Sequence, residues 1–183
     1  MRISRACLTV AAIILLAGGR DARAQGAPTV EASIGYAFMH DEDSSLDFPY
    51  GWIASVGGYA TNWLMFIGEV GGAYRTQSSG LADVSLKQHT FTTGPRFTVS
   101  ATSRVAPFAQ VLVGIAHGSL DVEVPGVSFV ARGTSFIVSP GGGVDLNFST
   151  RRALRFAVDA GFVRDEGDTR TQLRFVSAFV FRN

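Results

Sequence analysis

His117-Gly118-Ser119 offers an imidazole and a hydroxyl at a spacing used in nucleophilic chemistry, with Glu123 as the downstream acid. A three-residue match arises readily by chance, and this one stands where a strand runs out into a loop, so coincidence is the favoured reading. Asp41, Asp43, Ser45 and Asp47 put oxygen atoms at alternate positions, as a calcium loop does. The central Gly and the terminal Glu of that loop are missing, so the segment reads as a solvated acidic loop and no metal site is assigned. His40 and His89 have no metal-ligand spacing and read as rim residues. Gly141-Gly142-Gly143 lies inside an alternating segment, where small residues let neighbouring side chains pack, and is no phosphate cradle. No cofactor site is expected.

The elements that would carry these residues follow from composition. The chain has 183 residues, 21 of them Gly and 14 Phe, with 46% apolar residues. After the first 24 residues no apolar run approaches the ~20 residues of a membrane helix. Abundant Gly, Phe, Val and Thr with a single lysine, Lys87, argue for β-structure and against a helical domain, a disordered tail or a nucleic-acid binder. At the start, Arg2 and Arg5 precede the apolar stretch Ala6–Ala17, and Ala22-Arg23-Ala24 has the small-x-small pattern of a signal-peptidase site. Residues 1–24 are therefore expected to be a cleaved export signal, 25–29 a short lead, and 30–183 one domain. Cleavage removes Cys7, the only cysteine, and with it disulfide and thiol chemistry. It also takes four of 16 basic and one of 15 acidic residues, leaving a net charge of −2 that makes nucleic acid a poor partner.

Two-residue alternation recurs in eight segments of about ten residues, the length of a tilted membrane strand: Val30–Met39, Gly51–Thr61, Leu64–Arg75, Gln88–Val99, Val105–His117, Thr134–Phe148, Ala153–Val163 and Thr171–Arg182. Asn62 marks a tight turn. Pro95 is expected to make a bulge or kink, and Phe108 and Leu112 interrupt the polar face of the fifth segment. The links alternate short and long, with Gly118–Gly133 among the long ones. This rhythm predicts an all-β fold: an eight-stranded antiparallel up-and-down transmembrane barrel with short periplasmic turns and longer extracellular loops.

Charge decides which face points inward. The polar faces carry Glu31, Glu69, Arg75, Arg96, Asp145, Arg155, Asp159 and Arg174, a self-neutralising set expected to pair in the lumen. The opposite faces carry Phe136, Phe148, Phe156, Phe162, Phe175, Phe179 and Phe181, too large an apolar belt for a surface in water. The other acids, Asp41, Glu42, Asp43, Asp47, Asp83, Asp121, Glu123, Asp165, Glu166 and Asp168, fall in or beside the long links. Arg104, Arg151, Arg152 and Arg182 mark the opposite rim.

The chain resembles the small outer-membrane β-barrel superfamily of the outer membrane protein A transmembrane domain and the opacity proteins. The resemblance is carried by Thr93-Gly94-Pro95-Arg96-Phe97, Val105-Ala106-Pro107-Phe108-Ala109, Gly141-Gly142-Gly143-Val144-Asp145 and Leu173-Arg174-Phe175. It departs from the superfamily's usual terminal aromatic residue, because Arg182 and Asn183 follow Phe181. The resemblance implies a monomer in the outer membrane, surrounded by its lipid, with lipopolysaccharide or a host cell surface as partners of the loops. The expected role is non-enzymatic, structural or adhesive, with a charge-plugged lumen. One alternative is a narrow pore for ions or very small solutes. Another is a lipid-modifying enzyme similar to the lipid A deacylases, with His117 and Ser119 as its catalytic pair.

Overall fold

Strict alternation of apolar and polar residues gives each strand one face for lipid and one for a lumen, and such strands can bury their edges only by closing on themselves. The computed structural model shows this closure. It describes residues 29–79, 82–101, 103–124, 127–165 and 168–183, so the expected leader at 1–24 and residues 25–28 lie outside the described residues.

The strands among the described residues are β1 Val30–Asp41, β2 Leu46–Phe48, β3 Tyr50–Tyr59, β4 Leu64–Ser79, β5 Ala82–Thr98, β6 Val105–Val124, β7 Val127–Ser149, β8 Arg152–Asp165 and β9 Asp168–Arg182. Consecutive barrel strands pair antiparallel, and β1 pairs with β9 from Glu31↔Arg182 to Asp41↔Gln172, which closes the sheet. Eight strands form the wall. The three-residue β2 pairs with β1 alone. The expected alternation sets the polarity: Ile34 is 60% exposed and Phe66 56%, whereas Glu31 is 1% and Asp159 2% exposed. Phe108 and Leu112 turn inward with the polar residues and are buried there.

The segment Gly118–Gly133, expected as a long loop, is instead largely ladder. Beyond His117↔Thr134 the pairing of β6 with β7 runs on to Val124↔Val127. Likewise β4 and β5 continue to Ser79↔Ala82. Above the lipid both faces of a hairpin meet water, so the apolar alternation disappears although the backbone bonds that define a strand persist.

No bulge forms at Pro95. Pairing of β5 with β6 lapses at Gly94 and Pro95 and resumes in the same register, Thr93↔Val113 before and Arg96↔Gln110 after. Proline drops a ladder bond here without inserting a residue. The bulge lies elsewhere. Between Tyr36↔Trp52 and Met39↔Phe48, two residues of β1, Ala37 and Phe38, are matched by three of its partner, Pro49 to Gly51, with Pro49 as the extra residue. The added residue flips side-chain parity. Trp52 and Tyr50 face outward, while Phe48 turns into the external mouth and packs on Met39 and Ala73. The β3–β4 turn is held by the Thr61 hydroxyl, which accepts from the Leu64 amide at 3.0 Å, rather than by Asn62.

Candidate functional site

The charged lumen is the site that the wall builds. Alternation places one inward residue every ~6.8 Å along each strand, and closure brings those of distant strands onto one axis. Near the end where β1 starts and β9 finishes, the Glu31 carboxylate accepts from Arg96 Nη1 at 3.0 Å, Arg155 Nη2 at 2.7 Å, Arg182 Nε at 2.8 Å and the Tyr59 hydroxyl at 3.2 Å. Asp145 accepts from Arg155 Nε at 2.7 Å and Arg155 Nη2 at 2.8 Å, and also from Arg182. Arg96 Nε donates to Gln110 at 2.9 Å, and Gln110 Nε2 donates to Asp159 at 2.8 Å. Arg174 Nη2 then joins Asp159 at 2.8 Å to Glu69 at 2.5 Å. One network of four acids and four arginines thus climbs the axis with no net charge. The Arg96 and Arg155 guanidiniums lie 4.6 and 4.9 Å from the centroid of the Phe108 ring.

Seven of the eight residues expected in the lumen meet in this network, and Arg75 does not. Arg75 sits high on β4, where its Nη1 donates to the Asp47 carbonyl at 2.8 Å beside the short β2. Its place is taken by Arg182, expected at the outer edge of the short-turn rim but buried under Glu31 and Asp145, so the balance of charge is unchanged. Parity alone assigns Arg75 inward; its height on the barrel puts it above the plug. Asp41 is a second correction to the loop acids. It is 5% exposed at the top of the lumen, where Gln172 Nε2 donates to it at 3.1 Å. Gln172 exchanges further amide bonds with Gln88 at 2.8 and 3.2 Å. Above these groups a cup of about 400 Å³ opens at the external mouth.

The alternate acids of the 41–47 loop do not converge. Asp41 accepts from the Ser44 amide at 2.9 Å, Asp43 from the Thr171 amide at 2.7 Å, and Asp47 meets His40 Nδ1 at 2.6 Å. Each carboxylate therefore ties down a strand end. His117 and Ser119 share the outward face of β6, as their spacing requires. His117 Nδ1 is hydrogen-bonded to the Thr134 hydroxyl on the neighbouring strand at 2.8 Å. The Glu123 side chain, like Glu166, lies outside what is described.

The outer wall is apolar from rim to rim. Trp63 stacks on Phe97 at one end with ring centroids 6.0 Å apart, and Trp52 Nε1 donates to the Tyr74 hydroxyl at 3.1 Å near the other. Amphipathic rings at both edges of an apolar band are the arrangement of a lipid-embedded barrel.

No protein-family model matches the chain, and no curated protein matches it. Among solved structures it is similar to Ail, the attachment invasion locus protein of Yersinia pestis, with a TM-score of 0.66 and 20% identity over 86% of this chain and 99% of that one. Neisserial surface protein A gives a TM-score of 0.65 and 13% identity over 84% and 96%. OprG of Pseudomonas aeruginosa gives 0.58 and 10% over 89% and 99%. The chain has the fold of the small eight-stranded outer-membrane β-barrels, and its apolar exterior is the surface such a fold presents to lipid.

Proposed function

We propose that this protein, exported by the leader at residues 1–24, is a monomeric, non-enzymatic outer-membrane barrel that is plugged by its own charges and makes contacts through its external hairpins. The observation that carries the reading is the neutral lumen network, in which every carboxylate is held by at least one guanidinium at 3.0 Å or less. Charges paired in this way leave little to hydrate a passing ion. The contact role is supported by the β4–β5 and β6–β7 hairpins, whose ladders run beyond the belt, and by exposed acids in the neighbouring links, Glu42 after β1 and Asp168 at the start of β9. Ail, whose name refers to attachment, has this fold, and one structure of it holds a heparin analogue. The acidic hairpins of this chain suit a cationic patch or a divalent-bridged surface instead.

Planar-bilayer recording tests the plug. Folded protein, identified by a heat-dependent shift in gel mobility, should give no steady conductance; a stable open level would replace the plug with a narrow pore. A lipid-modifying role has its own measurement. His117→Ala should leave the lipid profile of the producing cells unchanged, and a changed acylation pattern would make the protein an enzyme.

A further inference from the structure

The lumen ends at its external mouth in a floor of three polar side chains, Asp41 of β1, Gln172 of β9 and Gln88 of β5, which line the cup of about 400 Å³. Their mutual bonds use up the donors. Gln172 Nε2 donates to Asp41 Oδ2 at 3.1 Å and to Gln88 Oε1 at 3.2 Å, while Gln88 Nε2 donates to Gln172 Oε1 at 2.8 Å and faces the Met39 sulfur at 3.9 Å. Acceptors are left over. Asp41 Oδ2 and both amide oxygens each receive one bond within this set, and each such oxygen has two lone pairs. The Ser135 hydroxyl, which also lines the cup, can accept as readily as donate.

Charge acts in the same direction. Asp41 and Gln172 are 5% and 4% exposed, and among the described side chains no guanidinium or ammonium is within ion-pair reach of Asp41. Asp165 and Arg170 border the cup from β8 and β9 and pair with each other at 3.8 Å, so they add no net charge. Lys87 and Arg132 stand at its edge on the outward parity of β5 and β7, and Lys87 is held by Asp121 at 3.1 Å. A buried carboxylate with acceptors to spare and no free amide donor disfavours an anion. It suits an ammonium, which brings one positive charge, three N–H groups and no lone pair.

Above the floor the wall is apolar. Leu86, Leu120 and Val163 line it, and Leu46 and Phe48 lean in from the short β2. Phe48 does so only because the extra residue at Pro49 reverses its parity. A concavity of this size, with apolar sides and a few convergent polar groups, is the form that small-molecule sites take. We infer that the cup binds a small primary amine with an apolar body, its ammonium on Asp41 and the glutamine oxygens and its body against Phe48 and the leucines. Such binding is independent of the hairpin contacts, which need no cavity.

Fluorine NMR of para-fluorophenethylamine tests this with protein in phosphatidylcholine nanodiscs and empty discs as the reference. The matching alcohol and para-fluorophenylacetate share the body without the ammonium, and methylammonium, added as a competitor, has the charge without the body. Wild-type protein should bind the amine more tightly than the alcohol by on the order of tenfold, as a charge-assisted hydrogen bond implies. The acetate and methylammonium should bind more weakly still. Asp41→Asn should abolish the preference for the amine, and Ala131→Phe, which fills the cup from its wall, should weaken amine and alcohol together. Glu42→Gln removes the same charge from the exposed link beside Asp41 and should keep the preference. Equal binding of amine and alcohol by wild type, or no binding of either, would overturn the inference without any variant. Displacement of the amine by methylammonium at equal concentration would reduce the cup to a plain cation site and overturn it too. So would a preference that survives Asp41→Asn or is lost equally in Glu42→Gln. If Asp41→Asn gives no heat-modifiable band, the probe series and Ala131→Phe still decide, since amine binding unchanged by a filled cup would place it elsewhere.

Discussion

Glu31→Ala should destabilise the folded barrel by about 3–5 kcal/mol, because it removes one partner of a buried ion cluster and leaves the others in place. Glu31 is 1% exposed and takes bonds from three arginines that come from β5, β8 and β9. Without it, Arg96, Arg155 and Arg182 share Asp145 as their nearest acid, and three like charges are left close together in a water-poor lumen. The measurement is the urea midpoint of the heat-modifiable band in bilayers. Adding Arg182→Ala should recover part of the loss, since it removes one of the uncompensated charges. A Glu31→Ala barrel as stable as wild type would show that the network contributes nothing to folding.

Gly141→Ala should cost about 3 kcal/mol, an unusually large effect for one methyl group. A Cβ at Gly141 would stand 1.9 Å from Asp159 Oδ1 and 2.7 Å from the Val158 carbonyl. The carboxylate cannot swing away freely, because Gln110 and Arg174 both hold it at 2.8 Å. The methyl therefore breaks the link between the lower and upper parts of the plug. Gly118→Ala and Gly133→Ala are the controls, since a Cβ at either position meets nothing within 4 Å. Their unfolding midpoints should stay at the wild-type value, within about 0.5 kcal/mol. Equal effects at all three glycines would point to strand propensity rather than the Asp159 contact.

Much of the wall was legible because inward and outward are decided locally. Glu69 and Val70 differ in face simply by being neighbours in a strand, so period-two reading assigned the lumen acids and the phenylalanine belt from sequence. Height along the axis is not local. Arg75 and Glu69 share a face of β4, yet one reaches the β2 backbone and the other the Arg174 pair. Arg182 looked like a rim residue because nothing in its own segment shows that β9 pairs with β1 at Glu31. A usable signal was its parity, which matches Gln172, Arg174 and Ala178. Phe48 was hidden for a related reason: one inserted residue at Pro49 reverses the alternation, and the three residues of β2 are too few to show a new phase.

By itself, then, the sequence determined the all-β class, the number of wall strands and the sign of each face, because side-chain alternation is a property of consecutive residues. Tertiary structure decided which charges meet, that Arg182 rather than Arg75 completes a neutral plug, and that Phe48 caps its external mouth. Those outcomes depend on stagger between strands far apart in the chain, and stagger is set only when β9 closes on β1 and the ring of hydrogen bonds leaves no free edge.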